Sequence, residues 1–303
     1  AGASGTYTKK APFKVEQTGF VFGGPIIKDK LFFFVGYEDY KKTKAIPSFG
    51  PVGDARTNVA ITQTAIDQAI AISKDVYGFD VGTNSLPSGA FITVKDALLK
   101  LDWNISDRQR ASLRYTKTEQ VDPVFNNTAN NSLQLSSNYY TVNTKFETTV
   151  AQWFADWTDT FSTEAKVSLR DYAAPSSTPD PKTAQVALNF QNALPTGVPS
   201  TTPNNRNLFL GTERSRHFND LSTKTTDIYF AGNLNLGAHE VKAGLGYSTN
   251  KVYNAFLQDT NGNYVVASSI WDNVGVVNAG AVTWGNGQVA GPRSVGEVSV
   301  GCA

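Results

Sequence analysis

The 303-residue sequence predicts an all-β fold: an antiparallel, up-and-down transmembrane β-barrel, present as a partial barrel of about eight strands, with a short helix in one long loop. Three observations carry this. Stretches of about ten residues alternate apolar and polar side chains, the period of a strand whose two faces meet different surroundings. These stretches come in pairs joined by very short turns, while the pairs themselves stand far apart. No segment approaches the run of about 18 apolar residues that a spanning helix needs, so any membrane crossing is made by strands.

Residues 1–15 are small and polar, with Lys9, Lys10 and Lys14, and read as an exposed loop. The first hairpin occupies residues 18–40. Phe20, Val21 and Phe22, and then residues 31–35, suit a pleated surface. Gly23 and Gly24 loosen the backbone, and Pro25, which cannot donate to a ladder, belongs at a strand end. Lys28, Asp29 and Lys30 place the turn in water between two dry flanks.

From Lys41 to about Gly89 the pattern changes. Pro47, Gly50, Pro51 and Gly53 mark irregular chain, and Ile61, Ala65, Ile66, Ala69, Ile70, Ser73 and Val76 then recur at helical spacing. A short amphipathic helix therefore sits inside this loop with Gly78 as its stop; it packs its own apolar face or, as the alternative, caps the barrel mouth or touches ligand. The second hairpin sets Leu99, Leu101, Trp103 and Ile105 against Lys100, Asp102 and Asn104. After a turn at residues 106–109, Ala111, Leu113 and Tyr115 oppose Ser112, Arg114 and Thr116.

An Asn-rich stretch at 119–139 separates this from the third hairpin. There Ala151, Trp153, Ala155 and Trp157 alternate with Gln152, Phe154, Asp156 and Thr158, and Ala165, Val167 and Leu169 alternate with Lys166, Ser168 and Arg170. The insertion at 173–218 carries Pro175, Pro179, Pro181, Pro195, Pro199 and Pro203, a density that excludes regular strands through most of it. In the fourth hairpin Ile228, Phe230, Gly232, Leu234 and Leu236 oppose Asp227, Tyr229, Ala231, Asn233 and Asn235. Beyond a turn at 237–240, Val241, Ala243, Leu245 and Tyr247 oppose Lys242, Gly244, Gly246 and Ser248, where the small residues suit a crowded inner wall. Residues 255–303 read as loop with weak strands.

Each hairpin returns the chain to its starting side, so all short turns share one edge and all long connections the other. That asymmetry marks an outer-membrane barrel. Its lumen would receive Lys100, Asp102, Arg114, Asp156, Lys166, Arg170, Asp227 and Lys242. The opposite face is almost free of charge, as contact with lipid requires. Tyr37, Trp103, Tyr115, Trp153, Trp157 and Tyr247, with Tyr172 and Tyr253, are candidates for interfacial aromatic girdles.

The totals exclude other classes. A formal charge of +1 gives no reason to expect nucleic acid as a partner. Cys302 alone makes no internal disulfide, and His217 and His239 alone make no zinc site. Those histidines belong to a loop-to-strand transition and a turn, so no catalytic triad is expected. Glu38 and Asp39 are adjacent on a strand and face opposite ways. The Asp259 to Asn263 run lacks the twelfth-position Glu of a calcium loop, having Ile270, and reads as an Asn-Gly turn. Gly23-Gly24-Pro25 has no phosphate-loop context. Asn126-Asn127-Thr128 and Asn130-Asn131-Ser132 fit a glycosylation pattern that matters only in a secretory setting. No enzyme activity, cofactor or metal is expected.

The run GGPIIKDKLFFFVGYE at residues 23–38, with Gly23, Gly24, Pro25, Lys28, Asp29, Lys30, Phe32, Phe33 and Phe34, closely resembles the first complete barrel hairpin of Oar-like TonB-dependent receptors. LLKLDWNISDRQRASLRY at residues 98–115 is similar to the next hairpin of that family, and the resemblance extends over about residues 7–265. It implies the cell outer membrane of a Gram-negative bacterium and outer-membrane lipid as surroundings. It also implies import of a scarce solute (an iron chelate, vitamin, saccharide or peptide) by a plugged barrel of 22 strands. The ligand would first meet the lumen and the loops at 41–95, 120–142 and 173–218. The chain lacks methionine throughout, which suggests a piece cut from a longer reading frame. Residues 1–303 would then form one partial barrel domain. The plug, N-terminal domain and remaining strands would lie outside it, and TonB would be reached only through those absent N-terminal segments. Two other readings stay open: a surface or adhesion barrel without transport, and a soluble β-sandwich binding module.

Overall fold

The computed structural model describes residues 13–87, 89–180, 183–190, 205–216, 218–260, 263–273 and 276–286. Among the described residues the fold is all-β and mostly antiparallel, with one α-helix, and no helix is long and apolar enough to cross a membrane. Four hairpins form its spine: β1 (Val15–Ile27) with β2 (Leu31–Thr43), β5 (Phe91–Ser106) with β6 (Gln109–Val124), β8 (Tyr140–Asp156) with β9 (Phe161–Ala173), and β13 (Phe218–Leu236) with β14 (His239–Thr260). They stand in chain order in an open sheet, and β15 (Asn263–Asn273) and β16 (Val276–Asn286) follow β14. Short β10 (Ser176–Ser177) joins β8. Residues 255–303, expected to be loop with weak strands, thus carry the end of β14 and two further strands.

Turn chemistry explains the hairpin ends. Asp29 takes φ 61°, a left-handed conformation that Asp tolerates better than most side chains, and Lys30 N–H donates to the Ile27 carbonyl at 3.0 Å. Gly237, at φ 69°, begins the two-residue turn before His239. Pro25 is not at the strand end. It pairs with Phe32 inside β1, where the register shifts before Ile27. A bulge on the edge strand of the described sheet is the place where a missing N–H does no harm. Gly244 does sit in close quarters, since a Cβ there would fall 2.8 Å from the Ala231 Cβ, whereas at Gly246 it would only touch the Ile228 carbonyl at 4.0 Å.

The buried core lies mostly off the sheet, in the long connections. The first connection holds β3 (Phe49–Gly50), β4 (Thr57–Asn58) and α1 (Gln63–Asp75). The second holds β7 (Ser132–Gln134), and the third holds β11 (Val186–Phe190) and β12 (Arg206–Leu210). These last two, five residues each, are short strands within 173–218, a connection from most of which, but not all, proline is expected to exclude strands. Pro175 and Pro179 lie outside them, while Pro181, Pro195, Pro199 and Pro203 are not among the described residues. β12 pairs antiparallel with β11 and parallel with β7, joining the second and third connections in one small sheet.

Candidate functional site

Cross-strand register sorts every hairpin side chain onto one of two faces. Lys100, Arg114, Val150, Ser168, Asp227 and Ser248 form one continuous row across six strands. Asp102, Ser112, Gln152, Lys166 and Tyr229 form the adjacent row on the same face, and strand parity adds Asp156, Arg170 and Lys242. All eight charged residues singled out from the sequence therefore share one face. Five of them are held in ion pairs. Glu164 pairs with Lys242 at 2.6 Å and accepts from the Tyr229 hydroxyl at 3.0 Å. Asp227 pairs with Arg170 at 3.1 Å and accepts from Ser248 at 2.6 Å, and Lys100 pairs with Asp102 at 2.8 Å. A recess of 390 Å³ lies among Gln152, Phe154, Glu164, Lys166, Asp227 and Tyr229.

The other face is apolar and open. Its rows run Leu31, Trp103, Ala111, Trp153, Ala165, Phe230, Leu245, and then Phe33, Leu101, Leu113, Ala151, Val167, Ile228, Tyr247. Leu245 is 81% exposed and Tyr247 65%, values that water alone would penalise. Counting from the turn edge, the first carboxylate or ammonium group on this face is Glu16 on β1, Asp39 on β2, Lys95 on β5, Lys117 on β6, Glu147 on β8, Asp171 on β9, Lys224 on β13 and Lys251 on β14. On β13 the uncharged stretch from Leu236 to Thr226 is about 33 Å along the strand at about 3.3 Å per residue. A tilt of about 40° reduces this to about 25 Å, the height of the apolar band of an outer-membrane barrel.

Tyr37, Trp103, Tyr115, Trp153, Trp157 and Tyr247 all belong to the apolar face or its turn edge. Trp153 meets Trp157 edge-on, with centroids 5.8 Å apart, and Trp157 Nε1 donates to Thr163 at 2.9 Å. Tyr253 shares that face. Tyr172 does not, because its row runs through Phe146 and Thr118 on the polar face, where it packs edge-on against Phe146. A Tyr one residue beyond an apolar-face position falls on the opposite side whatever its chemistry.

At the loop edge the three long connections build one cap. Thr62 caps α1 by accepting from Ala65 N–H at 3.2 Å, and the helix buries Ile66, Ala69 and Ser73. These meet Val59, Ile61 and Val81 of the first connection, Leu133 and Leu135 of the second, and Leu208 and Leu210 of the third. The helix thus packs on all three loops and not merely on its own. Arg206 is fully buried and donates to the carbonyls of Phe190 at 3.0 Å and Ala60 at 3.3 Å. Asn138 Nδ2 donates to the Gly211 carbonyl, and Gly211 N–H donates to Ser137 Oγ, both at 3.0 Å. On the cap rim, Arg56 grips Asp54 with Nε at 2.9 Å and Nη2 at 2.6 Å and holds its carboxyl down at about 2. Burial pushes the Tyr139 hydroxyl up.

Glu38 pairs with Asp96 and Asp39 with Lys95, so the two carboxylates lie on opposite faces. His239 opens β14 at the turn edge, and His217, like Lys9, Lys10 and Cys302, lies outside the described residues. Among the described residues no three His, Cys, Asp or Glu groups gather as metal ligands. Asp259 and Thr260 pair with Tyr264 and Asn263 as a hairpin. The cap core escaped the sequence reading because its strands are only two to five residues long and come from three distant segments. Its local signals are the helical period of Ile66 and Ala69 and the short apolar alternations of Leu133 with Leu135 and of Leu208 with Leu210.

Residues 3–60 match a family model described as an outer membrane beta barrel domain, and residues 259–301 match one described as a repeat of unknown function. The first match covers 58 of the 303 residues. No curated protein matches the chain. Among solved structures, the outer membrane transporter YddB from Escherichia coli is similar at 9% identity and a TM-score of 0.47, over 84% of this chain and 33% of that one. FpvA from P. aeruginosa, bound to an iron complex of a heterologous pyoverdine, is similar at 12% identity and a TM-score of 0.35, over 84% and 35%. The chain spans about a third of the length of each.

Proposed function

We propose that this chain is part of the barrel of a TonB-dependent receptor in the outer membrane of a Gram-negative bacterium, a protein that imports a scarce solute. The observation that carries the reading is the uncharged band on the apolar face, which is about 25 Å tall on β13 and about 15 Å on β2 and β6, and which ends at a charged residue on each of the eight hairpin strands. Lipid covers that band, and Trp103, Trp153 and Trp157 lie at its turn-side boundary. The polar face, with Lys100, Asp102, Arg114, Asp156, Lys166, Arg170, Asp227 and Lys242, lines the lumen. The family match over residues 3–60 supports the membrane, and the likeness of residues 23–38 to Oar-like receptors supports the subtype.

The cap of joined loops is the first surface a solute would meet, and an iron chelate, vitamin, saccharide or peptide each suits a receptor of this class. TonB would act through segments other than these residues. Two experiments test the reading. Mixed with phosphatidylcholine vesicles, the chain should float with lipid and resist alkaline washing, whereas a soluble sandwich would stay in the buffer. Translation of the flanking gene should give a plug before residue 1 and further alternating strands after residue 303. A start codon and a stop codon directly bounding the segment would remove transport and leave a surface barrel acting through its loops.

A further inference from the structure

Lys224 on β13 and Lys251 on β14 are direct cross-strand partners on the apolar face. Like charges placed opposite each other are destabilising, and among the described residues neither lysine is in an ion pair. Asp171, the partner of Lys224 on its other side, leaves the trio with a net positive charge. The pair stands one row beyond Thr226 and Thr249, which are also partners, and two rows beyond Ile228 and Tyr247. Four donor side chains thus form a two-by-two patch at the level where the uncharged band ends, flanked along β14 by the exposed rings of Tyr247 and Tyr253.

We infer that this patch binds the phosphate-bearing headgroup of an outer-leaflet lipid. The inference rests on the membrane-spanning reading above and adds a ligand class and a place. Position selects the occupant. A headgroup whose acyl chains lie on Leu245, Phe230 and Ile228 brings its phosphate to the height of Lys224 and Lys251, with the Thr226 and Thr249 hydroxyls as further donors. A freely soluble anion would have no such anchorage. Lysines near an anionic lipid surface contribute attraction that adds per residue, so two of them together are worth about 30-fold in affinity.

The full chain in neutral maltoside micelles is titrated with phosphatidic acid and, separately, with diacylglycerol, and bound lipid is counted by native mass spectrometry. Phosphatidic acid should bind about 30-fold more tightly. The double variant Lys224→Gln/Lys251→Gln should lose most of that preference and remain folded, because it removes a repulsion. Lys28→Gln/Lys30→Gln, at the far edge, should behave as the parent. Equal loss in the two variants, an unaffected Lys224→Gln/Lys251→Gln variant, or displacement of the lipid by millimolar inorganic phosphate would overturn the assignment. A chain that floats with vesicles but shows no phosphate preference sinks this inference alone. One that stays in the buffer sinks the membrane reading and this inference together.

Discussion

The Tyr115 hydroxyl on β6 donates to Glu147 on β8 at 2.7 Å, a hydrogen bond that joins the last uncharged row of the apolar face to the first charged one. Glu147 also pairs with Lys145 at 2.9 Å. An amphipathic ring with its body over hydrocarbon and its hydroxyl on a carboxylate fits a bilayer boundary. Tyr115→Phe should leave the fold intact and weaken that boundary, while Tyr115→Ala should weaken it further by removing the ring. Urea unfolding of the chain in vesicles, followed by tryptophan fluorescence, gives the order: parent, Phe, Ala. An Ala variant as stable as the parent would take Tyr115 out of the boundary.

Charge tolerance should differ between neighbouring residues. Phe230→Arg puts a guanidinium in the middle of the apolar band and should cost about 2 to 4 kcal/mol in a bilayer, whereas Tyr229→Arg, one residue away on the polar face, should cost far less. Vesicle-based unfolding curves measure both. Equal penalties would mean that the two faces meet the same solvent.

The cap should answer to its own core. Leu208 is fully buried against side chains from the other two loops, and Leu208→Ala should destabilise the cap by about 2 to 5 kcal/mol. Amide exchange should quicken in α1 and β7 together while the β13–β14 ladder keeps its protection. Faster exchange confined to β12 would show that the three loops are not one cooperative unit.

Acid should loosen the same cap. The Asp54 carboxyl is held at about 2, against an ordinary value of 3.8, chiefly by its hydrogen bond from Arg56. A lowered folded-state value means that the stabilisation is complete above the ordinary value and is lost as pH falls from 3.8 toward 2. Because Asp54 is partly exposed, solvent screens the pair and the effect is modest. Exchange rates at residues 54–61 should rise through that window in the parent, and Asp54→Asn should flatten the rise. A rise that persists in Asp54→Asn would assign it to another group.

The strands and faces were legible in the sequence because alternation is a local signal. Leu99, Leu101 and Trp103 cannot share a face with Lys100 and Asp102 on any pleated strand, so the eight charged positions fell together without knowledge of register. Tyr172 obeys the same rule: its aromatic character suggests a girdle, and its parity forbids one. The cap was illegible for a different reason. Its core joins Ile66, Leu133 and Leu208, contacts between distant segments that no local period encodes, and proline in the third loop argued against strands that nevertheless form around it. Pro25 likewise looked like a strand end because a bulge is a property of pairing and not of composition.

The central claim is that one face of the sheet contacts lipid and the other does not. A spin-label scan of residues 223–236 on β13, with Cys302 replaced by Ser and the chain reconstituted into vesicles, tests it directly. Oxygen accessibility should peak at 226, 228, 230, 232, 234 and 236, dip at each odd position between them, and fall away at Lys224. A flat profile, or one in which water-soluble nickel reaches Phe230 as readily as Tyr229, would contradict the account.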